Sequence, residues 1–291
     1  MSNKFLLGSD PELVIIDAQG NLKSAIELID GVKDKPIKIP NGAVIHDNVN
    51  VEFGIDPAAN ADEWVGRTGS VMKHIAAMLP KGYSMLAIAS SEFPDVELSH
   101  PEARAFGCSP DFDAYDQDVN VVPEGAAKSN LRSCGGHIHI GRDGIEDIDA
   151  VCATTKAMDV FLGLTSLLLD KDPTSPRRRS LYGKAGCHRP KPYGLEYRAL
   201  GNFWVSHPTL TRLMWHLVND GLDAHFNGLL SKVQWNLVRR TINESNIQSA
   251  EKAVNGLVKP LLSGDTRAML EVAIKMPRMD LYESWGINAR N

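Results

Sequence analysis

The sequence has few cysteines and no long apolar run, and both absences narrow the class of protein. Its four cysteines, Cys108, Cys134, Cys152 and Cys187, lie far apart and form no CxxC pair. A chain of 291 residues can build a core without disulfides, so we expect reduced thiols. No stretch of 18 residues is both apolar and uncharged, and the first seven residues have no signal-peptide pattern. We therefore expect a cytoplasmic protein without a membrane span.

The chain also lacks any block of five like charges. Its 36 acidic residues and 31 Lys and Arg give a formal net charge of −5. This balance does not attract a phosphate backbone or an anionic membrane, so we expect neither nucleic acid nor membrane as a partner. Hydrophobic residues make up 43% of the chain, which is typical of a packed protein and excludes a disordered or fibrous one.

The sequence does contain four segments in which polar and apolar residues alternate with the period of a β-strand. They are residues 7–16, 48–53, 137–140 and 195–199. In the first segment, Asp10 and Glu12 share one face, and Pro11 indicates an edge strand or a bulge. Each of the four segments places ionisable side chains on one face.

Between and after these segments the apolar spacing becomes helical. Residues 60–79 form a predicted helix, with Asn60 and Glu63 as a capping box. Further helices are predicted at 148–169, 210–230, 233–242, 250–262 and 266–275, and a long loop at 98–130. We expect an α+β protein with a sheet and its helices in residues 1–207. The helical part, residues 208–291, should pack on the same domain.

The polar faces of the four strands would form one ionisable surface if the strands belong to one sheet. Its members are Asp10, Glu12, Asn48, Asn50, Glu52, His137, His139, Glu196 and Arg198. Carboxylates that converge in a cleft repel one another, and divalent cations commonly offset that repulsion. Oxygen-rich ligands with one imidazole suit magnesium or manganese better than zinc. Each residue alone fits a solvated strand face, but their density in three motifs favours a functional site.

A run of cations precedes the fourth strand, in what the sequence indicates is a glycine-containing loop. These cations are Arg177, Arg178, Arg179, Lys184, Arg189 and Lys191. The planar guanidinium group can bind a phosphoryl group through two parallel hydrogen bonds. A solvated basic loop is the alternative interpretation of the same residues.

The ordered motifs resemble those of the glutamine synthetase and γ-glutamylcysteine synthetase superfamily. The order is DxE, NVE, GGHxH, an Arg-rich loop and ExR. More narrowly, GSDPEL, DNVNVEFG, SCGGHIHIG and RRSLYGKAGCHRPKPYGLEYRALGNFW resemble the phage-type carboxylate-amine ligases, or amidoligases, of that superfamily. The resemblance covers about residues 5 to 205. It implies a glutamine synthetase-like antiparallel sheet that forms a funnel, together with ATP and two Mg²⁺ or Mn²⁺ ions.

The resemblance also implies roles for single residues. Asp10 and Glu12 would divide between the two metals, although Asp10 stands where such enzymes usually have Glu. The implied metal ligands are Asp10, Glu12, Glu52, His137 and Glu196, with His137 and Glu196 on the ATP side. The implied catalytic residues are Arg198, which would lie beside the transferred phosphoryl group, Arg179 and Glu52. The implied nucleotide-binding residues are Arg178, Arg179, Lys184, Arg189, Lys191 and His139.

The reaction implied by the resemblance is ATP-dependent amide formation. The γ-phosphoryl group of ATP would pass to a substrate carboxylate, and an amine would attack the acyl phosphate. The substrates would be small-molecule or peptide acids and amines, in the host cytoplasm if a phage encodes the chain, and homo-oligomerisation stays open. Two alternatives also stay open: a non-catalytic structural or virion protein with the same fold, and a zinc-binding hydrolase. Zinc ligands would be Cys134, His137, His139 and Cys187 or His188, but strand alternation directs Cys134 to the opposite face.

Overall fold

One large antiparallel sheet organises the fold, which a computed structural model describes for residues 4–104, 111–120 and 129–288. Within those residues the protein is α+β. The strands are β1 (Leu6–Ile16), β2 (Leu22–Lys23), β3 (Ile37–Ile39), β4 (Gly42–Asp47), β5 (Asn50–Ala58), β6 (Ser84–Leu86), β7 (Ser90–Glu92), β8 (Phe112–Asp113), β9 (Asp118–Val119), β10 (Leu131–Ser133), β11 (Gly136–Gly141), β12 (Cys187–Lys191) and β13 (Gly194–Tyr197). The main sheet runs β3-β4-β5-β1-β11-β13-β12-β8-β9, with β2 and β6 also paired to β1. Strands β7 and β10 form a separate pair.

Strand β1 lies in the middle of the main sheet, between β5 and β11. The edge position that Pro11 indicated is therefore wrong, because its neighbours are paired on both sides. A shift in register between Leu7 and Ser9 provides the bulge, slightly earlier than Pro11 itself. Next to the proline, the Glu12 amide donates to the Gly135 carbonyl at 2.9 Å. One missing ladder bond at Pro11 is thus tolerated inside the sheet.

The second predicted strand is in fact a hairpin turn followed by a strand. Asp47 at the end of β4 pairs with Asn50 at the start of β5, so Asn48 and Val49 form the turn. Asn48 has a φ of 57°, a left-handed conformation that Asn tolerates better than most residues. Its Oδ1 accepts hydrogen bonds from the Val49 amide at 2.9 Å and from Arg132 Nε at 3.3 Å. The alternation had predicted that Asn48 lies on the polar face of the strand. This prediction is wrong, because Asn48 lies in the turn.

The helices are more numerous than the sequence predicted. They are α1 (Ala61–Met78), α2 (Ile148–Met158), α3 (Leu164–Leu169), α4 (Ser175–Leu181), α5 (Pro208–Phe226), α6 (Trp235–Asn243), α7 (Ile247–Ala253), α8 (Lys259–Leu261), α9 (Gly264–Lys275) and α10 (Leu281–Trp285). Single π-helical turns, Asp159–Gly163 and Val254–Val258, join α2 to α3 and α7 to α8. The sequence missed α4 and α10, which are short.

The stretch predicted as one Arg-rich loop contains a helix and a strand. Helix α4 has a proline in its first turn, where the missing amide and the fixed φ favour a helix start. It carries Arg177, Arg178 and Arg179, whereas Arg189 and Lys191 lie on β12. The loop prediction is therefore wrong for most of these cations, and only Lys184 lies between the two elements.

The predicted capping box at the start of α1 is confirmed with one change. The Asn60 side chain accepts a hydrogen bond from the Glu63 amide at 2.9 Å. The Glu63 carboxylate accepts in return from the amide of Ala59, at 3.0 Å, and not from that of Asn60. Both bonds satisfy amides that a helix start leaves unpaired.

The apolar face of the sheet packs against α1 and α2, and α5 packs on these two helices, so that all of them share one hydrophobic core. Trp64 of α1 stacks on Trp204 at 5.1 Å between ring centroids, and Phe5 stacks on Trp215 of α5 at 4.9 Å. The core thus contains residues from both predicted parts, and the division at residue 207 stays a prediction. Residues 148–169 are long and apolar enough to span a membrane, but 89% of that window is buried within the protein.

The predicted loop at 98–130 contains some regular structure. Two 3₁₀ turns, Asp95–Leu98 and Pro101–Arg104, lie at its start, and β8 and β9 form a short hairpin within it. Residues 105–110 and 121–128 of this loop lie outside the described residues, and so does Cys108. The other three cysteines are free and buried.

Gly136 should be a position where a single methyl group disturbs the sheet. A Cβ there would lie 2.3 Å from the Gly201 carbonyl oxygen and 2.7 Å from Trp204 Nε1. We expect Gly136→Ala to lower the free energy of unfolding by about 1–3 kcal/mol, because the Trp204 indole donates a hydrogen bond to the Gly136 carbonyl and the Gly201 backbone is bridged to Gly135. Urea denaturation of this variant and of Gly54→Ala measures the effect. Gly54 is the control because a Cβ there meets no atom within 4 Å, and equal stability losses in both variants would contradict the prediction.

Candidate functional site

One face of the main sheet collects the ionisable side chains of all four predicted segments. The register pairs that place them are Glu12 with Glu52, Asp10 with His137, His139 with Glu196, and Glu196 with Arg189. Side chains of register partners are neighbours on the same face of a sheet. The polar surface therefore runs across five strands, β5, β1, β11, β13 and β12.

The first cluster on this face is the histidine group, formed by Asp10, His139 and Glu196. One ligand atom from each of these residues lies within 4.8 Å of the other two. His139 Nε2 is 3.1 Å from Asp10 Oδ2. His137 lies beside the group, with Nδ1 3.3 Å from Asp10 Oδ1 and 3.7 Å from Glu196 Oε1. Two carboxylates and two imidazoles thus converge at one point.

Cations surround the Glu196 end of the histidine group. Lys191 Nζ is 2.8 Å and Arg189 Nη1 is 3.4 Å from Glu196 Oε2, and Arg198 Nη1 bonds Oε1. Burial and the Asp10 carboxylate would raise the pKa of Glu196, but His137 and Arg198 outweigh them and lower it to about 2. Glu196 is fully buried and remains ionised at neutral pH.

Asp10 and His137 are both in protonation states that can bind a metal ion. Burial alone would raise the pKa of Asp10, but the neighbouring His139 and His137 lower it well below its usual range. Burial and the nearby Arg198 lower the pKa of His137, so its imidazole is neutral at pH 7. A neutral imidazole has a ring nitrogen with a free lone pair, which is the form that binds metals.

The second cluster is the three-acid group, formed by Glu12, Asp47 and Glu52. Their carboxylate oxygens also lie within 4.8 Å of one another. Glu12 Oε2 accepts from the Gly135 amide at 3.2 Å and from Asn50 Nδ2 at 3.4 Å. In the described part of the chain, the ion pairs on this face reach Asp10, Glu196 and Asp111, but none reaches the three-acid group.

Uncompensated negative charge changes the protonation of the three-acid group. Burial and the Asp47 carboxylate raise the pKa of Glu12 to about 7. Burial and the charges of Asp10 and Glu12 raise the pKa of Glu52 well above its usual range. Because Asp10 acts on Glu52, the two groups are electrostatic neighbours and not separate sites.

The donor atoms of both groups fit divalent cations that prefer oxygen. The three-acid group offers carboxylates only, and the histidine group offers two carboxylates with an imidazole. Such sets suit Mg²⁺ or Mn²⁺, whereas zinc sites use sulfur and more nitrogen. A cation at the three-acid group would also relieve the mutual repulsion of its carboxylates.

The structure brings all five residues that the sequence predicted as metal ligands onto one face of the sheet. Asp10, Glu12, Glu52, His137 and Glu196 all lie on the shared face. His139, which the resemblance assigned to the nucleotide, joins the histidine group directly. Asp47 was missed because the alternation was interpreted as one strand. The signal that could have found it is the Asn48 turn, which brings Asp47 opposite Asn50.

The predicted nucleotide-binding cations are divided among four places. Arg189 and Lys191 contact Glu196, as described above. Arg178 is buried, donates to the Ala199 carbonyl at 3.3 Å and lowers the pKa of Glu12, so it lies close to the three-acid group. Lys184 is exposed.

Arg179 does not join the polar face. It is buried on the other side of α4, where Nη1 donates to Ser245 Oγ at 2.7 Å. There it lines a separate cavity of about 240 Å³ together with Asp170 and Ile247. Helical geometry explains the separation, because consecutive residues of a helix point in directions about 100° apart.

The zinc-ligand set that the sequence left open is not assembled in the described residues. Cys134 packs in a small apolar cluster with Val14 and Phe93. His188 faces Cys152, with 4.0 Å between its Nε2 and the sulfur. The groups of metal-binding atoms on the sheet face contain no cysteine. The reason is strand alternation, which separates these side chains from His137 and His139.

The raised pKa values predict how stability depends on pH and on cations. A carboxyl whose pKa is raised by folding stabilises the fold below its ordinary pKa, and this contribution is lost as the pH rises through the folded-state value. For Glu12 that value is about 7. We therefore expect the melting temperature in chelator to fall as the pH rises from about 4.5, the ordinary pKa of glutamate, to about 7, and saturating Mg²⁺ to reverse the fall.

The variants Glu12→Gln and Glu52→Gln should flatten this pH dependence, while Glu27→Gln at an exposed position should leave it unchanged. Differential scanning calorimetry at several pH values measures all four proteins. An Mg²⁺ effect of the same size in Glu12→Gln, Glu52→Gln and the unmodified protein would show that the three-acid group holds no cation.

Comparison with known proteins adds one finding to this geometry. No curated protein matches the chain at a significant level. The family model of the phage phiEco32-like COOH.NH2 ligase-type 2 proteins matches residues 114–259, about half of the chain. The matched region includes the histidine motif, α4, β12 and β13, and hence most of the histidine group and its cations. The chain belongs to the phage phiEco32-like COOH.NH2 ligase-type 2 family.

Proposed function

We propose that the protein is an ATP-dependent carboxylate-amine ligase that forms an amide through an acyl phosphate. The family is one of carboxylate-amine ligases, and the single observation that supports ATP and metal dependence is the pairing of two acid groups on one sheet face. Among the described residues, cations contact only the histidine group, and these cations are Lys191, Arg189 and Arg198. A triphosphate needs both features, because its oxygens bind divalent cations and basic side chains together.

The residues divide into roles that follow from their positions. The histidine group would hold the metal that accompanies the triphosphate, and the three-acid group would hold a second metal beside the transferred phosphoryl group. When bound, the two ions would neutralise and orient phosphate and carboxylate oxygens. His137, neutral and next to Asp10, would complete the first set of ligands. Glu52 would act as a metal ligand in the second set.

Arg198 is the side chain best placed to stabilise charge on the transferring phosphoryl group. It is buried, bonds Glu196 and approaches His137 Nδ1 to 3.4 Å. Its charge is maintained, because Glu196 and Asp10 raise its pKa although burial opposes them. Arg178 lies near Glu12 and would add a second cation on the other side of the site. Fixed charges in a buried site need little reorganisation when negative charge moves.

The substrates we propose are a carboxylate, from a small molecule or a peptide, and an amine that attacks the acyl phosphate. The reaction would take place in the host cytoplasm and needs neither nucleic acid nor membrane. Hydroxylamine tests the chemistry without knowledge of the natural amine, since it traps any acyl phosphate as a hydroxamate. Purified protein with ATP, Mg²⁺ and a panel of carboxylic acids should form hydroxamate and ADP, and omission of ATP should abolish both. Failure with every acid would favour a non-catalytic protein of the same fold.

Replacing Glu196 should abolish turnover by removing a metal-binding charge. We expect Glu196→Gln to lower hydroxamate formation by at least about 100-fold and to remove one of two bound Mn²⁺ ions. Electron paramagnetic resonance counts the bound Mn²⁺, and circular dichroism checks the fold. The control is Glu92→Gln, which removes a carboxylate from an exposed ion pair with Arg177. Two bound Mn²⁺ ions in Glu196→Gln would contradict its role as a ligand.

The Arg198→Lys variant tests whether Arg198 stabilises the transferring phosphoryl group or only neutralises the charge of Glu196. Lysine keeps the charge but cannot form the planar two-point contact of arginine with a phosphoryl group. We expect kcat to fall by about 10- to 1000-fold, with a much smaller change in ATP affinity measured by calorimetry. If Arg198 only neutralises Glu196, the substitution should alter the melting temperature and leave kcat within about threefold.

A further inference from the structure

A half-enclosed cavity of about 340 Å³ adjoins the histidine group and has no role in the chemistry described above. Its floor crosses three neighbouring strands, β5, β1 and β11, at Gly54, Gly8 and Gly141. Asp10 and His139 form its inner end. Its volume lies in the range of pockets that hold small ligands or parts of them. The cavity is therefore large enough for a ring but too small for a folded peptide.

The floor is flat because glycine occupies the positions that would otherwise carry side chains. A Cβ built on Gly54 meets no atom within 4 Å, and one built on Gly8 lies 3.3 Å from the Ile55 carbonyl oxygen. Gly141 also leaves ordinary van der Waals space above it, with 3.5 Å to the Tyr193 carbonyl. Bare backbone on adjacent strands presents a surface on which a planar group can lie.

The walls of the cavity are formed by apolar side chains that are partly exposed to solvent. Leu6 and Tyr193 are each 47% exposed, and Pro57 is exposed beside them. The Tyr193 ring is nearly parallel to that of His139, with 6.1 Å between centroids, and its hydroxyl hydrogen-bonds His139 Nδ1. Apolar side chains that converge on an open cavity beside a charged site indicate a ligand with an apolar end.

Charge is distributed unequally on the two sides of the histidine group. Strand order places β12, with Arg189 and Lys191, beyond β13, whereas the cavity floor lies on β5, β1 and β11. The strand register also sets a direction along the strands. Glu12 and Glu52 form one row, Asp10 the next row and Gly8 the following one, so the cavity lies at the end remote from the three-acid group.

We infer that this cavity binds the purine nucleoside part of the nucleotide, with the ring between the glycine floor and Tyr193. The inference rests on the proposed function and adds the position of the nucleoside and the residues that select it. A nucleotide has an uncharged planar end and a polyanionic end, and the cavity and the cations match these two ends. If the terminal phosphate lies between the two acid groups, the nucleoside must extend away from the three-acid group, towards Gly8 and Gly54.

A neighbouring cavity provides access for this ligand. It has a volume of about 890 Å³ and shares Leu6, Gly141 and Tyr193 with the smaller cavity. Its lining combines apolar residues, such as Phe5 and Trp215, with a polar side that includes Lys4, Asn60 and Asn219. A ribose with its hydroxyl groups could occupy this polar side while the purine ring stays on the apolar floor.

Filling the cavity with a side chain should separate nucleoside binding from phosphate and metal binding. Gly54 is the position to change, because its backbone conformation accepts any residue and the space above it is open. We expect the unmodified protein with Mn²⁺ to bind ATP at least about tenfold more tightly than inorganic tripolyphosphate, a difference of about 1.4 kcal/mol. In Gly54→Leu the two affinities should become equal, with tripolyphosphate binding and the Mn²⁺ count unchanged.

A matched control is Gly66→Leu on α1, where a Cβ also meets no neighbouring atom. It should retain the preference for ATP. In addition, Tyr193→Ala should weaken ATP binding but not tripolyphosphate binding, and Tyr193→Phe should retain most of the affinity because stacking needs the ring only.

The possible failures of this experiment are distinguishable. If the unmodified protein binds neither ATP nor tripolyphosphate in the presence of Mn²⁺, the proposed function fails. If it binds both but Gly54→Leu retains the preference for ATP, only the nucleoside position is wrong. Loss of tripolyphosphate or Mn²⁺ binding in Gly54→Leu would also overturn the inference, since the side chain would then disturb the histidine group. A raised KM for the acceptor acid with unchanged ATP binding would assign the cavity to the acceptor.

Discussion

Negative charge concentrated on one face of a sheet is the constraint on which the other features of the site depend. Glu12, Asp47 and Glu52 have no ion-pair partner among the described residues, and their neighbours raise the pKa values of two of them. Glu196, by contrast, lies within reach of three cations. The two acid groups lie side by side but differ in how far nearby cations offset their negative charge. They are therefore suited to different ligands. This difference is the basis of our proposal that the histidine group holds the metal that accompanies the triphosphate and the three-acid group a second metal beside the transferred phosphoryl group.

The charged side chains are brought together by the register of the strands and not by loops. Antiparallel pairing puts Asp10 opposite His137 and His139 opposite Glu196, so four side chains from three strands meet without any long connection. The apolar residues that alternate with them are fully buried on the other face and fix that register, because a slip of one residue would bury the charges. The same glycines that leave room for a ligand, such as Gly8, interrupt the row of side chains next to the charges.

Much of this arrangement could be predicted from the sequence, because the alternation of a strand and the apolar spacing of a helix are both visible within a short stretch of residues. The strands that carry Asp10, His137 and Glu196 and the Asn60 helix cap were all predicted in this way. The central position of β1 could not be predicted, since Pro11 carries a local signal that both neighbouring strands override. Asp47 was missed because the left-handed φ at Asn48 ends one strand and begins another within an unbroken alternation. The different directions of Arg178 and Arg179 could not be predicted, because they lie on a helix of seven residues, which is too short for apolar periodicity to reveal.

Strand β1 supplies a carboxylate to each acid group, Asp10 to one and Glu12 to the other, and only Pro11 separates them. The spacing between the two groups is therefore built into the covalent chain, and motions of the surrounding helices and loops cannot alter it. An insertion or deletion of one residue between Asp10 and Glu12 would turn one of these carboxylates to the apolar face and remove it from its group. Changes of specificity among relatives should then accumulate in the walls of the site, where Leu6, Pro57 and Tyr193 can vary without moving either carboxylate.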